Sequence, residues 1–270
     1  MPLTKGQIAA LEVLAAARDP ESYVAGSTPL NRTHVRISSD IDIFHDREER
    51  VANAADQDAA TLATAGFTIT WLRRSPGVQS LVAERAGESA KLEWVADSDF
   101  RFFPTVADPL FGYMLHPIDL AANKASAAAG RREVRDIVDL TIIHESILPL
   151  GAIIWAAVEK TPGFTPEAMI AEIRRNASHP RVEWETLESA TPIDPGEIVS
   201  KLRDGLEQAQ AFVESMPSEK AGLLFLEDAQ VVQPDPAALH RYVEHRGARR
   251  GHWPSSPEIA AAMMARFSGT

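Results

Sequence analysis

Residues 40–44, with the sequence Asp-Ile-Asp-Ile-Phe, constrain the fold of this chain more than any other stretch. Charged and apolar side chains alternate here with a period of two, which is the pattern of a β-strand with one buried face and one open face. Asp40 and Asp42 therefore lie on the same face of the strand. Two neighbouring carboxylates repel each other unless a cation lies between them. A divalent metal is the usual cation, and oxygen ligands favour Mg²⁺ or Mn²⁺.

A turn upstream of this strand has the sequence Ala-Gly-Ser-Thr-Pro over residues 25–29. Gly26 permits close backbone approach, Ser27 or Thr28 can cap a helix, and Pro is tolerated in the first helical turn. Backbone N–H groups at such a helix start can bind a phosphate. An ordinary turn and a solvated strand face are the alternative interpretation. The order of the two motifs favours the combination that nucleotidyl transfer needs, a phosphate-binding turn followed by a metal-binding carboxylate pair.

These motifs resemble those of the nucleotidyltransferase superfamily that includes DNA polymerase beta, in which Gly-Ser and a short helix precede Asp-x-Asp or Asp-x-Glu. Within that superfamily the chain is similar to the AbiEii/AbiGii-type nucleotidyltransferase toxins, which read Gly-Gly-Ser/Thr-Ala and then Arg-x-Ser-x-Asp-hydrophobic-Asp. The matching residues here are Arg36, Ser38, Asp40 and Asp42, whereas Ala25 replaces the first Gly. The resemblance implies an α+β fold, with a nucleotidyltransferase-type mixed β-sheet flanked by helices and a helical C-terminal domain.

Hydrophobic periodicity along the chain indicates the same fold class. Strands are predicted at residues 23–25, 40–44, 67–72, 78–83 and 91–95, and helices at 4–18 and 46–65. From about residue 145 the apolar positions recur at three-to-four spacing, which predicts helices at 148–160, 166–177, 195–216 and 235–246. We therefore expect a catalytic domain over residues 1–145 and a helical domain over 146–270.

Glu93 is a candidate third metal ligand. It alternates with the apolar Leu92 and Trp94, which places it on the polar face of its predicted strand. The superfamily often carries a third metal-binding carboxylate on a strand next to the Asp-x-Asp strand. The alternative is an exposed strand residue that pairs with Lys91.

A second set of motifs follows on two predicted helices. AbiEii-type members carry Asp-hydrophobic-x-x-x-Lys on one helix and then Arg-Asp-x-x-Asp-Leu, and Asp119, Lys124, Arg135, Asp136 and Asp139 match in order. By this resemblance, Lys124 contacts the phosphates of the nucleotide and Asp136 completes the catalytic set, supported by Arg135 or Asp139. A Lys point charge suits a triphosphate, and a carboxylate beside it can orient it or accept a proton. The alternative is a surface Lys and an Arg–Asp pair.

The resulting hypothesis is a nucleotidyltransferase that uses an NTP as substrate and Mg²⁺ or Mn²⁺ as cofactor. The catalytic residues are Asp40, Asp42, Lys124 and Asp136; the nucleotide-binding residues are Gly26, Ser27, Thr28, Arg36, Ser38 and Lys124; the metal ligands are Asp40, Asp42 and Glu93. The resemblance implies a toxin-like role, with tRNA or another macromolecule as acceptor and an antitoxin protein as partner. A small-molecule, aminoglycoside-type nucleotidyltransferase and an inactive relative that binds a nucleotide or a partner are the alternatives.

Composition restricts the partners and the compartment. The formal net charge of −11 argues against broad nonspecific binding of nucleic acid, which depends on Lys and Arg. Local basic clusters that could contact an acceptor are Arg73-Arg74, Arg131-Arg132 with Arg135, Arg174-Arg175, and the tail from Arg246 to Trp253. No apolar stretch approaches the ~20 residues of a membrane span, and the N-terminus does not read as a signal peptide. We therefore expect a cytoplasmic protein without membrane contact.

Overall fold

The computed structural model describes residues 3–249, apart from the side chain of Thr33, and these residues form two compact units. The first unit comprises residues 3–99, Pro104–His116 and Glu188–Thr191, and the second comprises Phe100–Phe103, Pro117–Leu187 and residues 192–249. The segment Glu188–Thr191 belongs to the first unit because its backbone exchanges hydrogen bonds with Val35 and Ile37.

The first unit is a mixed sheet with helices. Its helices are α1 (Lys5–Leu14), α2 (Ser27–Leu30) and α3 (Glu48–Thr64). Its strands are β1 (Ser22–Ala25), β2 (Ile41–His45), β3 (Thr68–Ser75), β4 (Val78–Arg85), β5 (Glu88–Ala96), β6 (Val106–Asp108) and β7 (Gly112–Met114). They lie in the order β3-β4-β5-β2-β1-β7-β6. Because β2 is antiparallel to β1 and parallel to β5, the sheet has the mixed direction that the sequence predicts.

Helices α1 and α3 cover one face of this sheet. The apolar residues of the two central strands, Ile41 and Ile43 on β2 and Leu92 and Trp94 on β5, are fully buried. The indole N–H of Trp94 donates to Asp58 of α3 at 2.7 Å, which identifies the face toward which these alternating residues point. Burial of each aliphatic side chain stabilises the fold by about 1.5–3 kcal/mol. The intervening polar residues of β2 and β5 consequently lie on the opposite face.

A buried ion pair joins the helices of the first unit to the sheet. Arg18, which follows α1, pairs with Asp58 of α3, and both side chains are only 2% exposed. Burial raises the pKa of Asp58, while the charge of Arg18 and the hydrogen bond from Trp94 act in the opposite direction. A buried pair of this kind adds little net stability because both charges lose their hydration. We infer that it fixes how α1, α3 and β5 pack.

The second unit is mainly helical. Its helices are α4 (Pro117–Gly130), α5 (Val134–Ser146), α6 (Leu150–Lys160), α7 (Pro166–Asn176), α8 (Arg181–Trp184) and α9 (Pro195–Ser215). The helices predicted at 148–160, 166–177 and 195–216 are thereby confirmed as α6, α7 and α9. The structure also contains a small sheet that the sequence did not predict, formed by β8 (Leu224–Glu227), β9 (Gln230–Val232) and β10 (Val243–His245) in the order β10-β8-β9.

The helix predicted at residues 235–246 is wrong. Residues Pro236–Arg241 form a short 3₁₀ segment, and Val243–His245 form β10, which pairs antiparallel with β8. The apolar spacing in this stretch is compatible with a helix, but the backbone hydrogen bonds are supplied by a strand that lies well before it in the chain. Local periodicity cannot reveal a partner of that kind.

The structure divides the chain at residue 116 rather than at the predicted boundary after residue 145. Helix α4 packs against α6 and α7, and α5 packs against α9, so both helices share the core of the second unit. The segment Phe100–Phe103 also belongs there, because Asp119 of α4 accepts the backbone N–H groups of Phe102 and Phe103, each at 3.0 Å. The sequence boundary grouped α4 and α5 with the catalytic motifs, whereas their apolar faces pack on the later helices.

No single helix within residues 3–249 is long and apolar enough to cross a membrane. Helices α5 and α6 reach that length and composition only as a pair, and the pair is bent by 118°.

His45, the last residue of β2, makes the stability of the fold depend on pH. Its ring is fully buried, and neither ring nitrogen has a hydrogen-bond partner among the described residues. Burial, together with the nearby charges of Arg18 and Arg50, lowers the pKa of His45 from 6.5 to about 4. Between these two values the unfolded chain binds a proton that the folded chain does not bind. Stability is therefore lost as the pH falls through this window.

We expect the free energy of unfolding to fall by up to about 3 kcal/mol between pH 7 and pH 4 through His45 alone. Urea unfolding at several pH values in this range should show a smaller decline for His45→Gln than for the wild type. The exposed His240 provides the control, since His240→Gln should keep the wild-type decline. Parallel curves for the wild type and His45→Gln would contradict this assignment.

Candidate active site

Gly26 and Asp42 are in direct contact. Ala25, at the end of β1, is the register partner of Asp42 on β2, and Gly26 follows with φ 66° and ψ −142°. A Cβ atom placed on Gly26 would lie 1.9 Å from Asp42 Oδ2. The Asp42 carboxylate therefore lies against backbone that carries no side chain, at the start of α2. Ala25 is the last residue of β1, so Gly26 adopts the positive φ at this turn and an Ala is compatible with position 25.

Two of the predicted nucleotide-binding hydroxyls hold Asp40. Thr28 Oγ1 donates to the Asp40 carbonyl at 2.7 Å, and Ser38 Oγ donates to the same oxygen at 3.0 Å. Gln7 of α1 in turn donates to the Ser38 carbonyl at 2.7 Å. The backbone of Asp40 is thus fixed from the α2 turn and from the loop that precedes β2. Nucleotide contact by Thr28 and Ser38 stays a prediction.

Ser27 in this turn and Arg36 in the loop before β2 are also buried. Ser27 is 7% exposed, and its carbonyl accepts the side-chain amide of Asn31 at 3.0 Å, which closes the first turn of α2. Arg36 is 3% exposed and donates through Nη1 to the Ile37 carbonyl at 3.3 Å. Their predicted contacts with a nucleotide remain predictions.

Four charged residues share the open face of β2 and β5. Asp42 is the register partner of Glu93, and Lys91 Nζ lies 3.1 Å from Asp40 Oδ2. Lys91 and Glu93 are two residues apart on β5, so their side chains point to the same side as those of Asp40 and Asp42. We call Asp40, Asp42, Lys91 and Glu93 the carboxylate face. It lies at the end of β2 that is next to Gly26.

The three acids of the carboxylate face do not converge on one point. In residues 3–249 no three His, Asp or Glu side chains lie close enough together to enclose a metal ion. Like charges separate when no cation lies between them, and Lys91 already binds one oxygen of Asp40. The donor set nevertheless fits Mg²⁺ or Mn²⁺, because it consists of carboxylate oxygens on two paired strands and already binds a cationic group, the ammonium of Lys91. Metal binding by Asp40, Asp42 and Glu93 stays a prediction.

Lys124 and Asp136 form an ion cluster in the second unit. Lys124 Nζ lies 2.7 Å from Asp139 Oδ2 and 3.4 Å from Asp136 Oδ1. Both acids are fully buried, and the Lys124 side chain is 8% exposed. Arg131 completes the cluster through two hydrogen bonds to Asp136, at 2.7 and 3.1 Å. Of the two predicted supporting residues, Asp139 is in contact with Lys124, whereas Arg135 lies 3.7 Å from Glu133.

Sequence reasoning missed Lys91 as the partner of Asp40 and Arg131 as the partner of Asp136. The position of Lys91 two residues before Glu93 does indicate a shared face. However, only the register between β5 and β2 shows that Asp40, rather than Glu93, is the nearest acid. Arg131 directly follows α4, and the geometry of the helix end that turns it back to Asp136 has no simple sequence signal.

The predicted basic clusters are engaged in contacts within the protein. Arg74 pairs with Asp56 at 2.6 Å and stacks on Trp71, and Arg132 donates to the Ser178 carbonyl. Arg174 donates to the Leu206 carbonyl at 3.2 Å. The predicted acceptor-binding tail lies outside the described residues from position 250 onward, so its role is a prediction from sequence alone.

A side chain at position 26 should displace the Asp42 carboxylate. We expect Gly26→Ala to lower the free energy of unfolding by about 2–4 kcal/mol, because backbone strain of about 1–3 kcal/mol adds to the steric clash. Gly87→Ala is the matched control, since Gly87 has φ +81° and a Cβ there would have no described atom within 4 Å. Chemical unfolding of both variants should give the larger loss for Gly26→Ala. Equal losses would show that Asp42 is not held by this contact.

Removal of Lys124 should destabilise the second unit. Lys124→Met leaves Asp136 and Asp139 buried without the ammonium group between them, which should cost about 3–5 kcal/mol of unfolding free energy. The double variant Lys124→Met with Asp139→Asn should recover part of this loss, because one of the two buried charges is then also absent. Thermal and urea unfolding would measure both effects. A Lys124→Met variant as stable as the wild type would contradict the cluster.

Comparison with known proteins supports the fold. No family model matches the sequence, and no curated protein gives a significant match. Among solved structures, the chain is similar to MenT4, a nucleotidyltransferase toxin from Mycobacterium tuberculosis H37Rv, with a TM-score of 0.58 and 14% sequence identity. The similarity covers 79% of this chain and 83% of that chain. The predicted α+β, nucleotidyltransferase-type fold is thereby confirmed, whereas membership of the AbiEii/AbiGii group stays a prediction.

Proposed function

We propose that this chain is a metal-dependent nucleotidyltransferase with a toxin-like role, which moves a nucleoside monophosphate from an NTP to an acceptor hydroxyl. The contact between the bare backbone at Gly26 and the Asp42 carboxylate carries this proposal. It brings a turn with the chemistry to bind phosphate directly beside an acid with the chemistry to bind a metal. The similarity in fold to a nucleotidyltransferase toxin supports the same assignment.

Residues of the first unit would bind the metal and the outer phosphates of the NTP. Asp40 and Asp42 would hold the metal, with Glu93 as a third ligand, and a bound metal would neutralise the triphosphate and polarise the α-phosphate. Backbone N–H groups of the turn at Gly26 and Ser27 would bind the outer phosphates, because the turn presents its N–H groups without a side chain at position 26. The resemblance also implies phosphate contact by Lys124 and a catalytic role for Asp136, and the phosphate contact would require Lys124 to leave one of its two buried ion pairs.

The reaction exchanges one phosphorus–oxygen bond for another. The oxygen of the acceptor hydroxyl attacks the α-phosphorus, and the bond from that phosphorus to the bridging oxygen of the β-phosphate breaks, so that pyrophosphate leaves. The hydroxyl proton passes to a carboxylate of the site. The protein contributes mainly position and electrostatic stabilisation to a step of this kind.

A macromolecular hydroxyl, with tRNA as the first candidate, is the acceptor that a toxin-like role requires. An antitoxin protein is the corresponding partner. A small cationic acceptor of the aminoglycoside type is the second candidate, because the net charge of −11 favours a cation over a polyanion. These acceptors differ in size and charge, so one experiment can separate them.

The test is transfer of label from each of the four α-labelled NTPs, with Mg²⁺ or Mn²⁺, to total tRNA, to protein and to aminoglycosides. Label on tRNA would establish the toxin-like reaction and identify the base. Label on an aminoglycoside would place the protein in the second class. No label on any acceptor, together with no metal-dependent nucleotide binding, would refute transferase activity and leave an inactive relative.

Asp42→Asn should reduce transfer by at least about 100-fold, because the variant keeps the shape of the side chain and removes the charge that binds a metal. Asp46→Asn is the matched control on the same stretch of chain, since Asp46 follows the opposite end of β2 and accepts the Tyr23 hydroxyl at 3.2 Å. Initial rates with labelled NTP would measure the effect, and circular dichroism would show that both variants are folded. Transfer by Asp42→Asn at the wild-type rate would refute the site.

A further inference from the structure

Lys91 occupies a cation position at the carboxylate face. Its Nζ lies 3.1 Å from Asp40 Oδ2, with the Lys91 side chain 39% exposed and that of Asp40 18% exposed. The strand register explains the contact, because Ile41 pairs with Leu92 and the residues that precede each of them are therefore neighbours. The sheet fixes the backbone of Lys91, and the side chain reaches Asp40 from the adjacent strand.

Both oxygens of the Asp40 carboxylate have a donor. Ser39 Oγ donates to Oδ1 at 3.2 Å, and Lys91 donates to Oδ2 at 3.1 Å. The hydroxyls that donate to the Asp40 carbonyl fix its backbone, which keeps the carboxylate within reach of Lys91. A metal that binds Oδ2 must therefore take the place of the ammonium group or share the oxygen with it.

The positive charge of Lys91 opposes the binding of a divalent ion at the carboxylate face. Three carboxylates and one ammonium group give the carboxylate face a formal charge of −2. A divalent ion that enters beside Lys91 gains attraction to the three acids but is repelled by the ammonium group. Removal of that ammonium group would leave −3 and increase the attraction. Lys91 consequently lowers the affinity of the free site for a divalent ion.

We propose that Lys91 is a positioning residue that acts through Asp40: it is the resident counter-ion of this carboxylate, and a divalent metal that binds Asp40 Oδ2 must compete with it for that oxygen. This inference rests on the proposed function, since it concerns the same predicted metal site. In the absence of metal, Lys91 keeps Asp40 paired and reduces repulsion on the carboxylate face. It thereby sets the metal affinity of the protein.

The test is a titration of the full chain with Mn²⁺, in which the free ion is measured by electron paramagnetic resonance without nucleotide or acceptor. Lys91→Met removes the charge and keeps the length of the side chain, and we expect it to bind Mn²⁺ about three- to tenfold more tightly than the wild type. Lys91→Arg keeps the charge and should remain near the wild-type affinity. Lys201→Met is the matched control, because Lys201 is also 39% exposed and pairs with Glu145 and Glu197.

The direction of the change in Mn²⁺ affinity separates competition by Lys91 from a merely structural role. Damage to the fold would weaken Mn²⁺ binding, whereas competition between Lys91 and the metal predicts tighter binding in Lys91→Met and no change in Lys201→Met. Unchanged or weaker binding in a folded Lys91→Met variant would overturn the inference.

Asp42→Asn shows which proposal fails. If the wild type binds Mn²⁺ and Asp42→Asn does not, the metal site stands, and an unchanged affinity of Lys91→Met refutes only the role of Lys91. If neither the wild type nor Lys91→Met binds Mn²⁺, this inference falls together with the metal site of the proposed function.

Discussion

The antiparallel pairing of β1 with β2 is the constraint on which the candidate site depends. It places Asp42 opposite Ala25 and brings the carboxylate against the backbone of Gly26. A shift of the register by one residue would exchange the two faces of β2 and direct Asp42 into the core. Ile41 and Ile43 prevent that shift, because both are fully buried on the face that α1 and α3 cover. The apolar core of the first unit thus determines where the acids lie.

The protein uses two different solutions for clustered acids. Asp136 and Asp139 are fully buried, and Lys124 and Arg131 supply positive charge at hydrogen-bonding distance, because an uncompensated buried charge would be destabilising. The carboxylate face is partly exposed, so water shares in the solvation of its negative charge. Such a face can retain a net charge and remain receptive to an added cation. The buried cluster would first have to release one of its ion pairs, so a phosphate contact by Lys124 requires that the cluster opens.

Sequence alone predicts the parts of this structure that depend on local periodicity. The alternation in residues 40–44 predicts β2 and its two faces, and the three-to-four spacing predicts α6, α7 and α9. What it misses depends on contacts between distant segments. The sheet formed by β8, β9 and β10 and the pairing of Lys91 with Asp40 both require a register that no local pattern specifies. The compact units divide near residue 116 rather than after residue 145 for the same reason, since the partners of α4 and α5 lie later in the chain.

Features that oppose stability are concentrated at one end of β1 and β2. Gly26 adopts a conformation that side chains rarely tolerate, the Asp42 carboxylate lies against it, and three acids share the adjacent face. Glycine loses more conformational entropy on folding than any other residue, roughly 0.5–1 kcal/mol relative to Ala, and neighbouring carboxylates repel each other when no cation lies between them. A sequence shaped only for stability would place an uncharged residue at one or more of these positions. Their occurrence together, in a unit whose core is otherwise consistent with its sequence pattern, is the physical reason to locate the chemistry there.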